Sequence, residues 1–169
     1  RWKQPQVVVE LGTAQGNGTA NLCRQCPSAR VYTVNAPADA QTGLVVSFAL
    51  SADQIGRVYR AAGYDDRVVQ ILQNTLDLDL GACLERPVID LAVIDACHDT
   101  AYVTNDFGKV RPWMAAGGIV LFHDTHPSME GHLGGSYLAC MLLRRQGFDV
   151  QHLAGTWWGI WRNEPGSGG

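Results

Sequence analysis

Short apolar runs alternate along the chain with longer stretches in which apolar residues recur at helical spacing. This alternation is typical of repeated βαβ units. The apolar runs predict strands at about 7–11, 30–34, 67–72, 89–94, 118–123, 148–152 and 157–162. The intervening stretches predict helices near 17–25, 51–62, 99–113 and 134–146, with a weaker helix around 76–83.

Strands that consist of uninterrupted Val, Ile and Leu are expected to be parallel and buried on both faces. The last two strands are joined by 154–156, a connection short enough for a hairpin. We therefore expect an α/β fold, namely a Rossmann-like, doubly wound, mostly parallel seven-stranded sheet with an antiparallel C-terminal strand pair. Three tryptophans near the end of the chain are expected to pack on the last strand rather than stack on a ligand: Trp157, Trp158 and Trp161.

Several residues predict where elements begin and end. Ser51 precedes the second predicted helix as an N-cap residue would, and Gly63 follows it as a stop signal. Gly117-Gly118 are predicted to separate the helix that contains Trp113 from the fifth strand. Asn105-Asp106 are expected on the solvated face of the helix at 99–113.

Length and composition fit a single domain, which we assign to 1–163, followed by a flexible tail at 164–169. The 13 basic and 16 acidic residues give a net charge of −3 without a basic stripe, so nucleic acid is not an expected partner. No membrane partner is expected either, because no apolar run reaches about 18 residues. The five scattered cysteines indicate free thiols in a reducing compartment, and hence a cytoplasmic protein.

Polar residues follow three of the apolar strands at the points where these strands end. They are Glu10 and Gly12 after the first strand, Asp95 and His98 after the fourth, and His123-Asp124 after the fifth. The carboxyl ends of parallel strands meet at one edge of a sheet, and ligands bind there in open α/β folds. We therefore expect these residues to form one site.

The glycine-rich turn after the first strand does not match two common phosphate-binding loops. It contains no lysine, which a Walker loop requires. The dinucleotide fingerprint would place glycines at 12, 14 and 17, where the chain has Gly12, Ala14 and Asn17. Because the second glycine lets the backbone approach a pyrophosphate closely, NAD and FAD are disfavoured.

The remaining pattern, Glu10-x-Gly12-x-x-x-Gly16-x-Gly18, resembles motif I of the class I S-adenosylmethionine-dependent methyltransferases. With Asp95-x-x-His98 and His123-Asp124 following in order, the chain is most similar to the branch that includes macrolide-sugar and rhamnosyl O-methyltransferases. This resemblance implies transfer of a methyl group from S-adenosylmethionine to a hydroxyl of a small molecule. It also implies that the methionine part of the cofactor is lined by Glu10, Gly12, Thr13, Ala14 and Gly16.

Two positions depart from the cofactor site that is usual in this family. Where the family has an acidic residue that binds the ribose hydroxyls, the chain has Asn35, unless the anchor shifts to Asp39. Where the family often has Asp-Ser beside the adenine, the chain has Asn74-Thr75, and an amide can still pair with an adenine edge. We therefore expect Asn35, Asn74 and Thr75 to contact the cofactor, together with Asp95.

Carboxylates and imidazoles that converge from adjacent strand ends suit a divalent cation such as Mg²⁺ or Mn²⁺. Asp95, His123 and Asp124 are the expected ligands, and the imidazole tilts the choice toward Mn²⁺, Fe²⁺ or Co²⁺. A bound cation lowers the pKa of an acceptor hydroxyl, and a nearby base removes its proton. We assign His98 as this base and Asp95 as a second catalytic residue; alternatively, His98 caps the next helix and His123 hydrogen-bonds in the core. His126 is expected to be a loop residue.

Three functional hypotheses are open at this point. The first is a metal-assisted O-methyltransferase, the second a non-catalytic S-adenosylmethionine-binding module, and the third an iron-dependent oxidative enzyme on the same scaffold. Only six residues precede the first strand, whereas relatives carry helices that cover the pocket, so we expect a homo-oligomer or a shortened chain. Contacts to the methyl acceptor are expected from 35–50 and 126–135.

Overall fold

The computed structural model describes residues 4–38, 40, 50–84, 88–129 and 134–164, and every structural statement below concerns these residues. They form one seven-stranded sheet in the order β3-β2-β1-β4-β5-β7-β6. The strands are β1 (Val7–Leu11), β2 (Arg30–Asn35), β3 (Val68–Leu72), β4 (Ile89–Ile94), β5 (Met114–Phe122), β6 (Gln151–His152) and β7 (Gly159–Arg162). Strands β1 to β5 pair in parallel, and β7 is antiparallel to both β5 and β6. The predicted fold class is confirmed.

Helices lie on both faces of the sheet. They are α1 (Asn17–Gln25), α2 (Arg57–Ala61), α3 (Leu80–Cys83), α4 (Thr100–Val110) and α5 (Gly134–Arg145). One hydrophobic core joins Val9 of β1 to residues of α4 and α5, and a second joins Val8 to residues of α1 and α2. Because neighbouring residues of a strand point to opposite faces, β1 contributes to both cores and is buried throughout.

The prediction of a helix at 51–62 is wrong for the first half of that range. Helix α2 begins only at Arg57, and its N-cap is Gly56, in a left-handed conformation with φ of 72°, rather than Ser51. The Gly56 N–H donates to the Ala14 carbonyl and the Val58 N–H donates to the Gln15 carbonyl, each at 2.9 Å. These bonds to the glycine-rich loop replace the intrahelical bonds that a longer helix would make, so tertiary contacts override helix propensity here.

Strand β5 begins earlier than predicted. Met114 is its first residue, so Gly117-Gly118 lie within the strand and do not separate it from the preceding helix. Gly117 has a φ of +76°, and the register between β4 and β5 shifts between Ile89 and Leu91. A glycine with positive φ at a register shift is typical of a β-bulge, which the sequence alone presents as a turn signal.

Helix α4 differs from its prediction in length and in what it buries. It ends at Val110, because Pro112 lacks an N–H and is accommodated in a short 3-10 segment. Asp106 is completely buried, so its expected position on a solvated face is wrong. The Asn105 side-chain amide donates to Asp106 Oδ1 at 3.2 Å and to the Thr75 carbonyl at 3.3 Å. Burial raises the pKa of Asp106 to about 6.

None of the described helices has the length and apolar character needed to cross a membrane. Strand β6 has two residues, fewer than the predicted 148–152. Asp39, nearly all of 41–50, most of the expected tail and residues 130–133 of the expected acceptor-binding segment lie outside the described residues.

Candidate active site

The topology brings the ends of β1, β4 and β5 together, because these strands are neighbours in the sheet. The Asp95 N–H donates to the Leu11 carbonyl at 2.8 Å, and the His123 N–H donates to the Ile94 carbonyl at 3.0 Å. Each strand end is therefore hydrogen-bonded to the next. The polar residues that follow these strands therefore lie at the same edge of the sheet, as the sequence predicted.

Gly12 lies directly against the backbone of Asp95. Its φ is +114°, and a Cβ at this position would lie 2.0 Å from the Asp95 carbonyl oxygen. The N–H groups of Gly12 and Thr13 both donate to the Val34 carbonyl, at 2.9 and 3.0 Å. The glycine-rich loop is therefore pressed between the ends of β2 and β4, and only glycine fits at residue 12.

The rest of the loop is shaped by unusual backbone conformations. Ala14 has a φ of 45°, and Gly16 has a φ of 89° at the N-cap of α1. A Cβ at Gly18 would lie 2.3 Å from Glu10 Oε1, so the start of α1 packs closely on this carboxyl group. Positive φ values are uncommon for residues other than glycine, so Ala14 adopts an unusual conformation within this loop.

Glu10 lies underneath this loop, in the interior. It is only 3% exposed, and its Oε2 accepts hydrogen bonds from the hydroxyls of Thr19 at 2.5 Å and Thr33 at 2.6 Å. Burial raises the pKa of Glu10 to about 7, although both hydroxyls oppose this shift. Glu10 therefore supports the loop from below, and a direct contact between its carboxyl and a cofactor stays a prediction.

The two amide residues predicted in the cofactor site shape backbone turns. Asn35 Oδ1 accepts a hydrogen bond from the Ala14 N–H at 3.0 Å, and its Nδ2 donates to the Ala36 carbonyl at 2.8 Å. Asn74 Oδ1 accepts from the Leu76 N–H at 3.1 Å and so caps the 3-10 segment that begins with Thr75, which is buried. Side chains of this type commonly hydrogen-bond to nearby backbone groups.

Four ionisable side chains converge beside the loop, and we call them the Asp/His cluster: Asp95, His98, His123 and Asp124. His98 Nε2 lies 3.5 Å from Asp95 Oδ1 and 3.0 Å from Asp124 Oδ2. His123 Nδ1 lies 3.1 Å from Asp95 Oδ1 and 3.2 Å from Asp124 Oδ1. One nitrogen of each imidazole therefore faces both carboxylates.

These close contacts are not well-formed hydrogen bonds. His98 Nε2 and His123 Nδ1 are both buried and have no hydrogen-bond partner of acceptable geometry among the described residues. Donor atoms of Asp95, His98 and His123 all lie within 4.8 Å of one another, close enough to share one ion. Buried nitrogens that face carboxylates without pairing with them are the arrangement expected of a metal site, so the residues fit a divalent cation.

The carboxylates and imidazoles also shift one another's proton affinity. Burial alone would raise the pKa of Asp95, but the nearby imidazoles of His123 and His98 outweigh it through close contact and charge, and the pKa is lowered. Asp95 in turn raises the pKa of His123. Asp95 is therefore a carboxylate at neutral pH, as a metal ligand must be.

The end of β5 carries local strain where it presents its two cluster residues. Asp124 has a φ of 55°, which is uncommon for a residue other than glycine. The Thr125 N–H donates to the Trp157 carbonyl at 3.0 Å, and the Thr125 hydroxyl lies 3.1 Å from His152 Nδ1. Such outliers cluster at functional sites, where the surrounding structure maintains them.

Two residues near the site were not among the sequence-predicted site residues. Gln70 Nε2 donates to the Thr13 hydroxyl at 2.9 Å and to the Thr33 carbonyl at 3.1 Å. The Trp158 ring contacts the His123 ring, whereas Trp161 packs in the core as predicted. A lone glutamine inside an apolar strand was the available signal for Gln70.

Residues 9–125 match the profile of a protein family described as "Methyltransferase domain". Over 129 residues the chain is 30% identical to "Probable O-methyltransferase Rv1703c" of Mycobacterium tuberculosis. The aligned region covers 72% of this chain and 50% of that protein. The chain therefore spans about half the length of the curated relative that it matches.

Solved methyltransferase structures share the fold. An O-methyltransferase family protein from Burkholderia thailandensis superimposes with a TM-score of 0.69 at 15% identity, over 98% of this chain and 52% of that one. TomG from Streptomyces achromogenes, an O-methyltransferase of tomaymycin synthesis crystallised in complex with SAM, superimposes with a TM-score of 0.67 at 16% identity. This second alignment covers 96% of this chain and 74% of TomG.

Proposed function

The chain belongs to the methyltransferase-domain family, and we propose that it transfers the methyl group of S-adenosylmethionine to a hydroxyl of a small molecule, assisted by a divalent cation. One observation carries the proposal. Gly12 of motif I lies against the Asp95 backbone, where an added Cβ would be 2.0 Å from the carbonyl oxygen. The loop that would bind the methyl donor and the cluster that would activate the acceptor therefore share one edge of the sheet.

The glycine-rich loop would bind the methionine part of S-adenosylmethionine through its backbone. Positive φ values at Gly12, Ala14 and Gly16 shape this backbone, and hydrogen bonds from their N–H groups to Val34, Asn35 and Thr13 hold it in place. Asn35 would act on the cofactor chiefly through the loop, because its Oδ1 already accepts from the Ala14 N–H. Asn74 and Thr75 would likewise act on the cofactor indirectly, by shaping the turn after β3.

The Asp/His cluster would bind the cation. Asp95, His123 and Asp124 are the proposed ligands, since their oxygen and nitrogen atoms face one another at 3.1 to 3.2 Å. When bound, a divalent cation lowers the pKa of an acceptor hydroxyl and fixes its orientation. A ligand set of mixed carboxylate and imidazole suits Mn²⁺, Fe²⁺ or Co²⁺ better than Mg²⁺.

His98 is the proposed general base. Its Nε2 lies between Asp95 Oδ1 and Asp124 Oδ2, at 3.5 and 3.0 Å, and these carboxylates would stabilise the imidazolium that forms when His98 accepts a proton. As the acceptor oxygen forms its bond to the methyl carbon, the bond between that carbon and the sulfonium sulfur breaks. The hydroxyl proton passes to His98, so charge balances within the site.

A second function is favoured by one specific observation. Asp95, His98 and His123 together supply two imidazoles and one carboxylate whose donor atoms lie within 4.8 Å of one another. This donor set is that of the non-haem Fe(II) oxygenases. An iron-dependent oxidative enzyme on the same scaffold is therefore the second candidate, with His98 as a ligand instead of a base.

The two candidates differ in what they consume. Calorimetry of the chain with S-adenosylmethionine and with its demethylated product tests donor binding. Incubation with a panel of phenols, catechols and sugars, with and without Mn²⁺, tests turnover, with mass spectrometry to detect the added methyl group. We expect binding of the donor and methylation that depends on the cation.

Each other outcome identifies a different failure. Donor binding without turnover over the whole panel would favour a non-catalytic binding module. Oxidised products that need Fe²⁺ and O₂ but no S-adenosylmethionine would favour the oxygenase. No association with the donor at millimolar concentration, about −4 kcal/mol or weaker, would contradict both the methyltransferase and the binding module.

A further inference from the structure

The turn between β6 and β7 lies against the end of β5. The antiparallel register pairs Phe122 with Gly159, so the next residues along the two strands, His123 and Trp158, face each other. Their rings meet edge to face, with centroids 4.5 Å apart and planes inclined at 61°. An aromatic side chain outside the Asp/His cluster thus contacts one of its four members directly.

Both backbone polar groups of Trp158 are hydrogen-bonded. Its N–H donates to the Thr156 hydroxyl at 3.1 Å, and its carbonyl accepts from the Leu153 N–H at 2.9 Å. At the next residue, a Cβ on Gly159 would lie 3.2 Å from Cγ2 of Thr125, so the turn packs closely on the segment after β5. The backbone that carries the indole is therefore held in place beside the imidazole.

No well-formed hydrogen bond from a described residue fixes Nδ1 of the His123 ring, so a packing surface can determine the ring's orientation. Its side chain is 31% exposed, and the second side-chain torsion of a histidine has a broad, shallow preference. Its Nδ1 nevertheless faces Asp95 Oδ1 at 3.1 Å and Asp124 Oδ1 at 3.2 Å without a well-formed hydrogen bond to either. Within the described part of the chain, the edge-to-face contact with Trp158 is an interaction that can select this orientation.

We propose that Trp158 is a positioning residue, whose ring holds the His123 imidazole with Nδ1 directed at the two carboxylates. The residue acts through His123 and not on the acceptor. Hydrogen-bonding groups that orient a metal-ligating histidine typically change metal affinity by about 10- to 100-fold when replaced, and we expect a ring contact that fixes the same orientation to act at the lower end of this range. The expected effect on metal affinity rests on the proposed function. The orientation of the His123 ring does not, because it can be measured in the metal-free protein.

The test compares three variants of the full chain. Trp158→Leu removes the ring, and Trp158→Phe keeps an aromatic edge. Trp157→Leu is the matched control, because Trp157 lies in the same turn and its side chain is 55% exposed. The His123 ring signals are first recorded by NMR in the metal-free protein, and Co²⁺ is then titrated with its visible absorption as the readout.

We expect Trp158→Leu to shift and broaden the His123 signals and to weaken Co²⁺ binding by about tenfold or more. Trp158→Phe should keep one narrow set of signals and stay within about threefold of the wild-type affinity, a difference of roughly 0.7 kcal/mol. Trp157→Leu should change neither.

Failure of the inference and failure of the proposed function give different results. Unchanged His123 signals in metal-free Trp158→Leu would overturn the positioning role, whether or not the protein binds an ion. Equal Co²⁺ affinity of Trp158→Leu and the wild type would also overturn it. If the signals broaden or split into several sets but the wild type binds no Co²⁺, the positioning role is supported, and the proposed metal assistance is what fails.

Discussion

The hydroxyl groups of Thr13 and Thr33 lie 2.7 Å apart in the interior beneath the glycine-rich loop. Gln70 Nε2 donates to the Thr13 hydroxyl, and the Thr33 hydroxyl donates to Glu10 Oε2 at 2.6 Å. Hydrogen bonds therefore run without a break from β3, through the loop and β2, to the carboxyl group on β1. Because Thr13 is part of motif I, the shape of the proposed cofactor loop depends on this buried polar network.

Replacing Thr33 tests this network. Thr33→Val keeps the shape of the side chain but leaves the Thr13 hydroxyl and the Glu10 carboxyl each short of one buried partner. We expect the free energy of unfolding to fall by about 1–3 kcal/mol, with weaker binding of S-adenosylmethionine. Thr33→Ser, which keeps the hydroxyl, should retain the affinity. Urea unfolding and calorimetry measure both quantities, and wild-type values for Thr33→Val would contradict a role for the network.

Gly12→Ala tests the close approach of the loop to β4. The new Cβ would lie 2.0 Å from the Asp95 carbonyl oxygen, and the backbone φ of +114° is unfavourable for alanine. We expect a loss of about 2–4 kcal/mol of stability and no measurable binding of S-adenosylmethionine.

The control is Gly108→Ala on α4, where an added Cβ meets nothing within 4 Å. This helical position is exposed, so alanine should stabilise the protein by about 0.5–1 kcal/mol. If Gly12→Ala folds and binds the donor like Gly108→Ala, the loop does not occupy the position described for it.

Stability should decrease with rising pH because of Glu10. Burial raises its pKa from the ordinary 4.5 to about 7, so between these values the folded protein binds a proton that the unfolded chain has lost. The contribution of Glu10 to the free energy of unfolding should therefore be largest below the lower value and fall, by about 3 kcal/mol in all, as pH rises through the upper one. Urea unfolding at several pH values in this interval, with a chelator present, measures the slope.

Glu10→Gln does not titrate, yet its amide oxygen can still accept from Thr19 and Thr33. It should therefore flatten much of the dependence on pH. Asp106 acts in the same direction over a lower interval, because burial raises its pKa from 3.8 to about 6, so Asp106→Asn should remove a separate part of the slope. A wild-type slope in Glu10→Gln would mean that the carboxyl is ionised in the folded protein.

The strands and the edge that carries the site could be predicted because their causes are local. Runs of Val, Ile and Leu on β1 and β4 form buried strands wherever they pair, and polar residues directly after them reach the same rim. The position of Asp95, and of His98 three residues later, follows from the end of β4 alone.

Features that depend on distant partners could not be predicted. Helix α2 starts late because its first N–H groups bond to Ala14 and Gln15, more than 40 residues earlier in the sequence. Asp106 is buried on a helix whose pattern allowed a solvated position. The contact between Trp158 and His123 exists because β7 is inserted between β5 and β6, which the order of elements along the chain does not reveal.

His98→Ala distinguishes the chemistry of the site from its architecture. His98 Nε2 lies 3.0 Å from Asp124 Oδ2 at the rim, whereas the donor loop is built from β1, β2 and their hydrogen bonds. If His98 is the general base, the variant should lose turnover and bind S-adenosylmethionine within about threefold of the wild type, a shift of roughly 0.7 kcal/mol. Its affinity for Mn²⁺, measured by calorimetry, should then stay close to the wild-type value.

Loss of Mn²⁺ binding together with turnover would instead make His98 a ligand, as the two-histidine, one-carboxylate arrangement requires. Equal loss of donor binding and turnover would make its role structural, because a base that acts only on the acceptor has no contact through which to weaken the donor.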